Sequence, residues 1–446
     1  MSDRLPELTR PWLRRDRPLP RTVLQPIAEF LHTEAAGGIL LLVAAIAALA
    51  WANSPWSASY ESFWGTELTV EVGPWHIEEH LSAWVNDLLM ALFFYVVGLE
   101  IKRELLAGEL RDRRAAALPA VAALGGMIVP ALLYVVFNTS GEEARGWGIP
   151  MATDIAFAVG VLSLFSKRIP RSLTRFVLAL AIVDDIGAIA VIAIFYTESI
   201  DFGALGAAVG LLGLMVAMLR LGIRAGYVYV VLGLGVWLAT FQSGVHATIA
   251  GVALGFITPH RPFHLEGAVG AEAKRIAERT ADDTDRPRVG EWIHLARISR
   301  QAISPLSYSE EMLHPWTSYV ILPLFALANA GVNIGEALEA GLGSVALGIV
   351  VGLVGGKIAG ISLASWLAVR TGLGQLPRGV GWSHITGAAA VAGIGFTVSL
   401  FVTGLAFTDA ELIDQAKIGV LGASVLAAGI GLGLLARASR RSAASG

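Results

Sequence analysis

Two aspartates, Asp184 and Asp185, stand side by side in the middle of "RFVLALAIVDDIGAIAVIAIF", residues 175–195. They are the only charged residues between Arg175 and Glu198. The stretch is apolar and long enough to cross a bilayer. An ionised carboxylate at mid-bilayer costs roughly 2.5 kcal/mol or more on the most lenient scale, so two in a row call for a chemical reason. Two more ionisable groups lie at membrane depth: Asp154 in "GWGIPMATDIAFAVGVLSLF" and Lys357 in "VGGKIAGISLASW". Asp87, in "WVNDLLMALFFYVVGLEIKREL", lies nearer the external end of its span. One acid and one base can form a structural ion pair, but three acids against one base cannot all be explained that way.

The pattern suggests exchange chemistry. Adjacent helical residues point about 100° apart, so Asp184 and Asp185 can border one cavity without sharing a bond direction. Burial and like-charge repulsion each favour a carboxyl that holds its proton. A site whose carboxyls are protonated when empty, and release protons to a cation, is an exchanger. Na+ or Li+ want oxygen ligands, and carboxylates with a Thr hydroxyl or freed backbone carbonyls supply them. No Cys is present and no His lies near, which argues against zinc. Asp154 follows Pro150 in an interrupted span, where an acid can neutralise half-helix N-terminal dipoles. Lys357 can pair with an aspartate or offset half-helix C-termini.

These residues need a membrane scaffold. The 446 residues are 55% hydrophobic and 15% charged, with a mean hydropathy of +0.63. Soluble domains are about 25% charged, so the deficit indicates a polytopic membrane protein. The pI near 6.3 carries no nucleic-acid signature, no cofactor is called for, and no cleavable signal is evident. The expected architecture is all-α, with about twelve transmembrane helices near 34–52, 82–101, 116–137, 148–165, 172–196, 203–219, 226–241, 244–258, 313–332, 341–369, 382–407 and 413–436. With both termini cytoplasmic, nearly all loop Arg and Lys fall inside, and Arg145 and Lys417 are the exceptions. The expected organisation is a cytoplasmic Arg/Pro-rich segment at 1–32, a transport domain at 33–437 and a cytoplasmic tail at 438–446. "TELTVEVGPWHIEE" alternates Leu68, Val70 and Val72 before Gly73-Pro74, which predicts an external β-hairpin over 66–77. A polar cytoplasmic insert at 265–303 reads as a solvated linker, partly helical or disordered. Pro150 interrupts the fourth span, and Gly387, Gly393 and Gly395 weaken the eleventh. These two spans occupy the middle of two three-helix groups of opposite orientation, the pattern of inverted repeats with discontinuous helices crossing at a midplane site.

The stretches "NDLLMALFFYVVGLEIKREL", "IPMATDIAFAVGVL", "ALAIVDDIGAIAVIAIFYT", "SGVHATIAGV", "LHPWTSYVILPLFALANAGV", "GKIAGISL" and "GIGFTVSLF" together resemble the bacterial Na+/H+ antiporter A family (NhaA), over roughly residues 25–437. That family is a known case of inverted-repeat architecture. The resemblance implies that Asp185 is the principal cation ligand, with Asp184 beside it carrying a proton or pairing with Lys357. It places Thr153 and Asp154 at the crossing of the broken spans, and Asp87 at the external funnel. It implies that Glu100, Arg103, Glu104 and Glu310 form a cytoplasmic charge cluster linked to pH activation. His246 resembles the external-side histidine connected with pH response, although it can equally cap its span. The 66–77 hairpin resembles the family's dimer-forming element. Ser307, Tyr308 and Glu311 depart from the basic residues and His that some relatives carry around the acid at 310, a departure that bears on the pH profile. His76, His80, His264, His294 and His384 read as loop or edge residues, mostly solvated.

The expectation is therefore an electrogenic, pH-regulated Na+(Li+)/H+ antiporter of the inner membrane, a secondary transporter rather than an enzyme. It is expected to exchange about two H+ per Na+, to serve Na+ and pH homeostasis, to contact membrane lipid and to form a homodimer. A cation-coupled symporter of an organic anion is the alternative, which would need a larger pocket with donors for an anion. An intramembrane aspartyl protease would need one Asp on each of two facing helices. A channel would need weaker binding than fixed buried carboxylates give.

Overall fold

A computed structural model describes residues 36–72, 75–165, 168–197, 199–223, 225–262, 266–281, 289–335 and 343–444. The Arg/Pro-rich segment at 1–32 and the hairpin tip Gly73-Pro74 lie outside the described residues. Among those described, seven helices are long and apolar enough to cross a membrane, or up to nine if each of two bent pairs is one span. The seven are Leu81–Ala107, Arg113–Phe137, Glu143–Ser163, Arg171–Phe195, Phe202–Arg220, Ser344–Arg370 and Ala410–Arg440. The bent pairs are Ala36–Ala52 with Ser57–Trp64, turning by 116°, and Trp382–Val391 with Phe396–Ala406, turning by 48°. Gly226–Gln242 and Thr248–Ile257 are shorter apolar helices.

Small residues let these helices approach closely, as expected where lipid offers no hydrophobic drive for helix pairing. Gly125 on Arg113–Phe137 faces Gly360 on Ser344–Arg370, and a Cβ on either would land on the other's carbonyl oxygen. This contact seats the helix that carries Lys357. A Cβ on Gly98 would likewise come within 2.9 Å of the Val252 carbonyl, which fixes Thr248–Ile257 against Leu81–Ala107.

Among the described residues, three helices change pitch in mid-course. π turns occupy Val85–Leu89, Thr317–Ile321 and Val351–Gly356. The last ends immediately before Lys357, and such turns are common at functional sites. The helix expected from 313 starts earlier, at Pro305. Ser304 accepts from the Ser307 N–H at 3.0 Å and Pro305 occupies the first turn, so "SPLS" is a start signal upstream of the apolar run.

The strands Glu67–Val72 and Trp75–His80 pair antiparallel, from Glu67 opposite His80 to Val72 opposite Trp75. The second strand runs past the expected limit at 77, because backbone pairing continues through the polar Glu78, Glu79 and His80. The hairpin base is tied down where the Leu81 N–H donates to the Thr66 carbonyl at 2.9 Å and Trp84 Nε1 to the Leu68 carbonyl at 3.0 Å. The insert at 265–303 contains two helices, Glu266–Ala281 and Val289–Gln301. His384 differs from its expected edge placement. It is buried in the first turn of Trp382–Val391, where its Nδ1 accepts from the Gly381 N–H at 3.2 Å.

Candidate functional site

Two chain breaks meet in the interior. The 3-10 helix Glu143–Met151 contains Pro150 and gives way to extended residues 152–154 before Ile155–Ser163 begins. Opposite it, Trp382–Val391 ends and, after four intervening residues, Phe396–Ala406 begins. The two breaks bond to each other. The Asp154 N–H donates to the Ile394 carbonyl at 2.7 Å, and Thr153 Oγ1 donates to the Ala392 carbonyl at 2.9 Å. Irregular backbone at membrane depth persists only where protein satisfies it, and these bonds do so.

Asp154 caps both half-helices at once. Its Oδ1 accepts from the Phe157 N–H at 3.1 Å, at the start of its own helix. Its Oδ2 accepts from the Thr397 N–H at 3.0 Å and the Thr397 hydroxyl at 2.6 Å, at the start of the other. A carboxylate there offsets two helix N-terminal dipoles. Ser399 Oγ donates to the Ile149 carbonyl at 2.7 Å and adds a further tie across the crossing.

Lys357 enters from Ser344–Arg370 with its ammonium fully enclosed. Nζ donates to Asp184 Oδ2 at 2.7 Å, to Thr153 Oγ1 at 3.0 Å and to the Met151 carbonyl. Met151 ends the 3-10 helix, so Lys357 both pairs with an acid and meets a helix C-terminal carbonyl. The other oxygen of Asp184, Oδ1, is buried and has no hydrogen-bond partner among the described residues. Asp185, one residue on, is 7% exposed and makes no hydrogen bond or ion pair there. Among the described residues no group of three or more His, Cys, Asp or Glu side chains could hold a metal. At the crossing, the Asp185 carboxylate and Asp184 Oδ1 are the carboxylate oxygens left without a partner among the described residues. Thr153 already donates to one carbonyl and accepts from Lys357.

The remaining residues of interest form separate groups. Arg103 pairs with Glu310, lies 3.4 Å from Glu104 and reaches Glu100 at 4.0 Å. Burial pushes the Glu310 carboxyl above its ordinary range, opposed by the Arg103 guanidinium. Asp87 sits in the first π turn, where its backbone carbonyl accepts from Trp237 Nε1 at 3.0 Å. His246 Nε2 donates to the Tyr196 carbonyl at 2.8 Å, and its own carbonyl accepts the Ile249 N–H at 3.0 Å, opening the next helix. Thr397 and Ser399 had no place among the expected site residues. The signal was there in "GIGFTVS", a glycine break followed by two hydroxyl residues in the first turn of a new helix.

A family model described as Na+/H+ antiporter 1 matches residues 28–435. Na(+)/H(+) antiporter NhaA 2 of Sorangium cellulosum is 48% identical over 420 residues, covering 92% of this chain and 90% of that protein. Na(+)/H(+) antiporter NhaA of Rhodopirellula baltica is 47% identical over 422 residues, covering 92% and 94%. Na(+)/H(+) antiporter NhaA of Acidithiobacillus ferrooxidans is 46% identical over 430 residues, covering 94% and 99%.

Proposed function

This chain belongs to the Na+/H+ antiporter 1 family, and from that premise we propose how its buried acids exchange the two ions. It is a multi-pass membrane protein and a Na+/H+ antiporter, a secondary transporter rather than an enzyme. The organic-anion symporter alternative finds no support in the relatives described above.

In the proposed mechanism Asp185 binds the cation, and Asp184 supplies a further oxygen through Oδ1. One observation carries this assignment: an unpartnered Asp185 beside an orphaned buried oxygen of Asp184. Buried acceptors left empty cost about 1–3 kcal/mol each, which a proton or a bound cation removes. The empty site therefore holds a proton on Asp185. Na+ or Li+ entering the site displaces it. A second proton leaves the Asp184–Lys357 pair, which titrates as a unit. Two protons against one Na+ move one net charge per cycle, coupling exchange to the membrane potential by roughly 2.3 kcal/mol per 100 mV. Asp154, Thr153 and Thr397 hold the crossing in register, while its surroundings open to one side or the other.

The wider reading is that twelve spans, arranged as inverted repeats with both termini cytoplasmic, cross the inner membrane. The segment 1–32, the domain 33–437 and the tail 438–446 keep their expected roles. Asp87 lines the external approach. Glu100, Arg103, Glu104 and Glu310, with His246 on the other side, set the pH response. The 66–77 hairpin joins two copies, because exposed Leu68 and Val70 have no cover on a strand pair too small to be stable alone.

Everted vesicles loaded with a ΔpH-sensitive dye test the central assignment. Adding Na+ or Li+ should release protons, with K+ compared at the same pH values. Proton release equal for wild type and Asp185→Asn would remove Asp185 from the role.

A further inference from the structure

The insert between Thr248–Ile257 and the helix starting at Pro305 is pinned at its base. The Leu306 N–H donates to the Pro259 carbonyl at 3.0 Å, so the chain leaves and re-enters the membrane region at one point. Between these ends, Glu266–Ala281 and Val289–Gln301 pack side by side. On the second helix, Leu295 and Ile298 are half-buried, and Glu291 bonds Arg279 of the first. The opposite face carries Val289, Trp292, Ile293, Ala296, Arg297 and Arg300, all exposed. At 100° per residue these six fall within an arc of about 140°. Val289 is 75% exposed, Trp292 48% and Ile293 56%, far more apolar surface than a solvated helix of 13 residues needs. No acid shares that arc. The outer side of the first helix differs, with Lys274 and Glu278 paired at 3.8 Å.

We infer that Val289–Gln301 is an interfacial helix whose Val289–Trp292–Ile293 face lies in the headgroup layer of the membrane, with Arg297 and Arg300 on anionic lipid phosphates. Three features select lipid as the occupant. The pinned base and a helix length of about 20 Å keep this face near the bilayer surface. Apolar exposure continues from Ile303 to Tyr308 and Met312 on the membrane-region helix that follows. The mix of Trp, aliphatic residues and Arg on one face suits the boundary between headgroups and acyl chains. The inference goes beyond antiport and does not depend on which residues bind Na+.

The absence of Cys allows single reporter cysteines in the full-length protein. Ile293→Cys, Val289→Cys and Lys274→Cys would each carry an environment-sensitive fluorophore, with the protein in lipid nanodiscs. At positions 293 and 289, brominated lipid should quench about twofold or more beyond position 274, and aqueous iodide should quench less. Arg297→Gln with Arg300→Gln should weaken lipid quenching in anionic discs and leave neutral discs unchanged. Iodide quenching at 289 and 293 equal to that at 274, with no response to brominated lipid, would make the hairpin a solvated linker and overturn the inference. Shielding that follows protein concentration in detergent, without lipid quenching, would overturn it in favour of a contact between copies.

Discussion

Lys357 has three N–H donors and three acceptors around them: Asp184 Oδ2, Thr153 Oγ1 and the Met151 carbonyl. Nothing of this ammonium is left for solvent, and removing it strands Asp184. Lys357→Ala should therefore cost about 3–5 kcal/mol, the usual penalty for breaking a buried pair. Adding Asp184→Asn should return part of that loss. Thermal unfolding in detergent, followed by tryptophan fluorescence, measures both; a double variant no more stable than Lys357→Ala would mean the pair is not the unit described. Asp185 has no such ties, so Asp185→Asn should insert and fold normally while Na+-driven proton release falls to the level of empty vesicles. The four buried charges were legible in the sequence because an ionisable residue in an apolar run is conspicuous. Their division of labour followed from the family resemblance and not from the residue types themselves. Asp184 and Asp185 are chemically identical, and only the arrival of Lys357 from a segment more than a hundred residues away distinguishes them.

The elements that carry these groups were legible to differing degrees. Pro150 and the glycines of 387–395 marked both broken spans, because each removes a helix-stabilising feature in a place where lipid tolerates none. What they could not reveal was the Asp154 carboxylate shared between two helix starts. Thr397→Val keeps the shape and deletes the 2.6 Å hydroxyl bond to Asp154. It should cost about 1.5–3 kcal/mol, the range for a hydrogen bond to a charged group, and should appear in the same unfolding assay. The helix beginning at Pro305 was missed at its start because Ser304-Pro305 precedes a polar stretch, and hydropathy ignores capping. That extra length brings Glu310 to Arg103. As pH rises, Glu310 keeps its proton longer than an ordinary glutamate, then ionises and completes the ion pair with Arg103. Glu310→Gln mimics the protonated acid, so the midpoint of activity against pH should move upward with the maximal rate little changed. An unmoved midpoint would assign the pH response elsewhere.

At the scale of the whole molecule, net charge movement and assembly are the open tests. Na+ flux into proteoliposomes should build a potential that a voltage dye reports, and clamping with valinomycin should speed it. The double variant Asp184→Asn with Lys357→Gln should make any residual exchange electrically silent. Deleting 66–77 should lower dimer content on native gels while exchange persists under mild conditions.

The π turn at Val351–Gly356 has a consequence for insertions and deletions. It holds one residue more than an α-helical turn, so the chain there has slack of a single residue. Gly355 lies in it with open space around its Cβ position. Deleting Gly355 would draw the bulge into regular α-helix and leave Lys357–Arg370 on its present face. Deleting Ala359, beyond the bulge, has no slack to draw on and turns everything after it by about 100°. A chain that inserts and folds after losing Gly355, but not after losing Ala359, would mark Val351–Gly356 as the place where this helix absorbed an extra residue to bring its lysine to the acids.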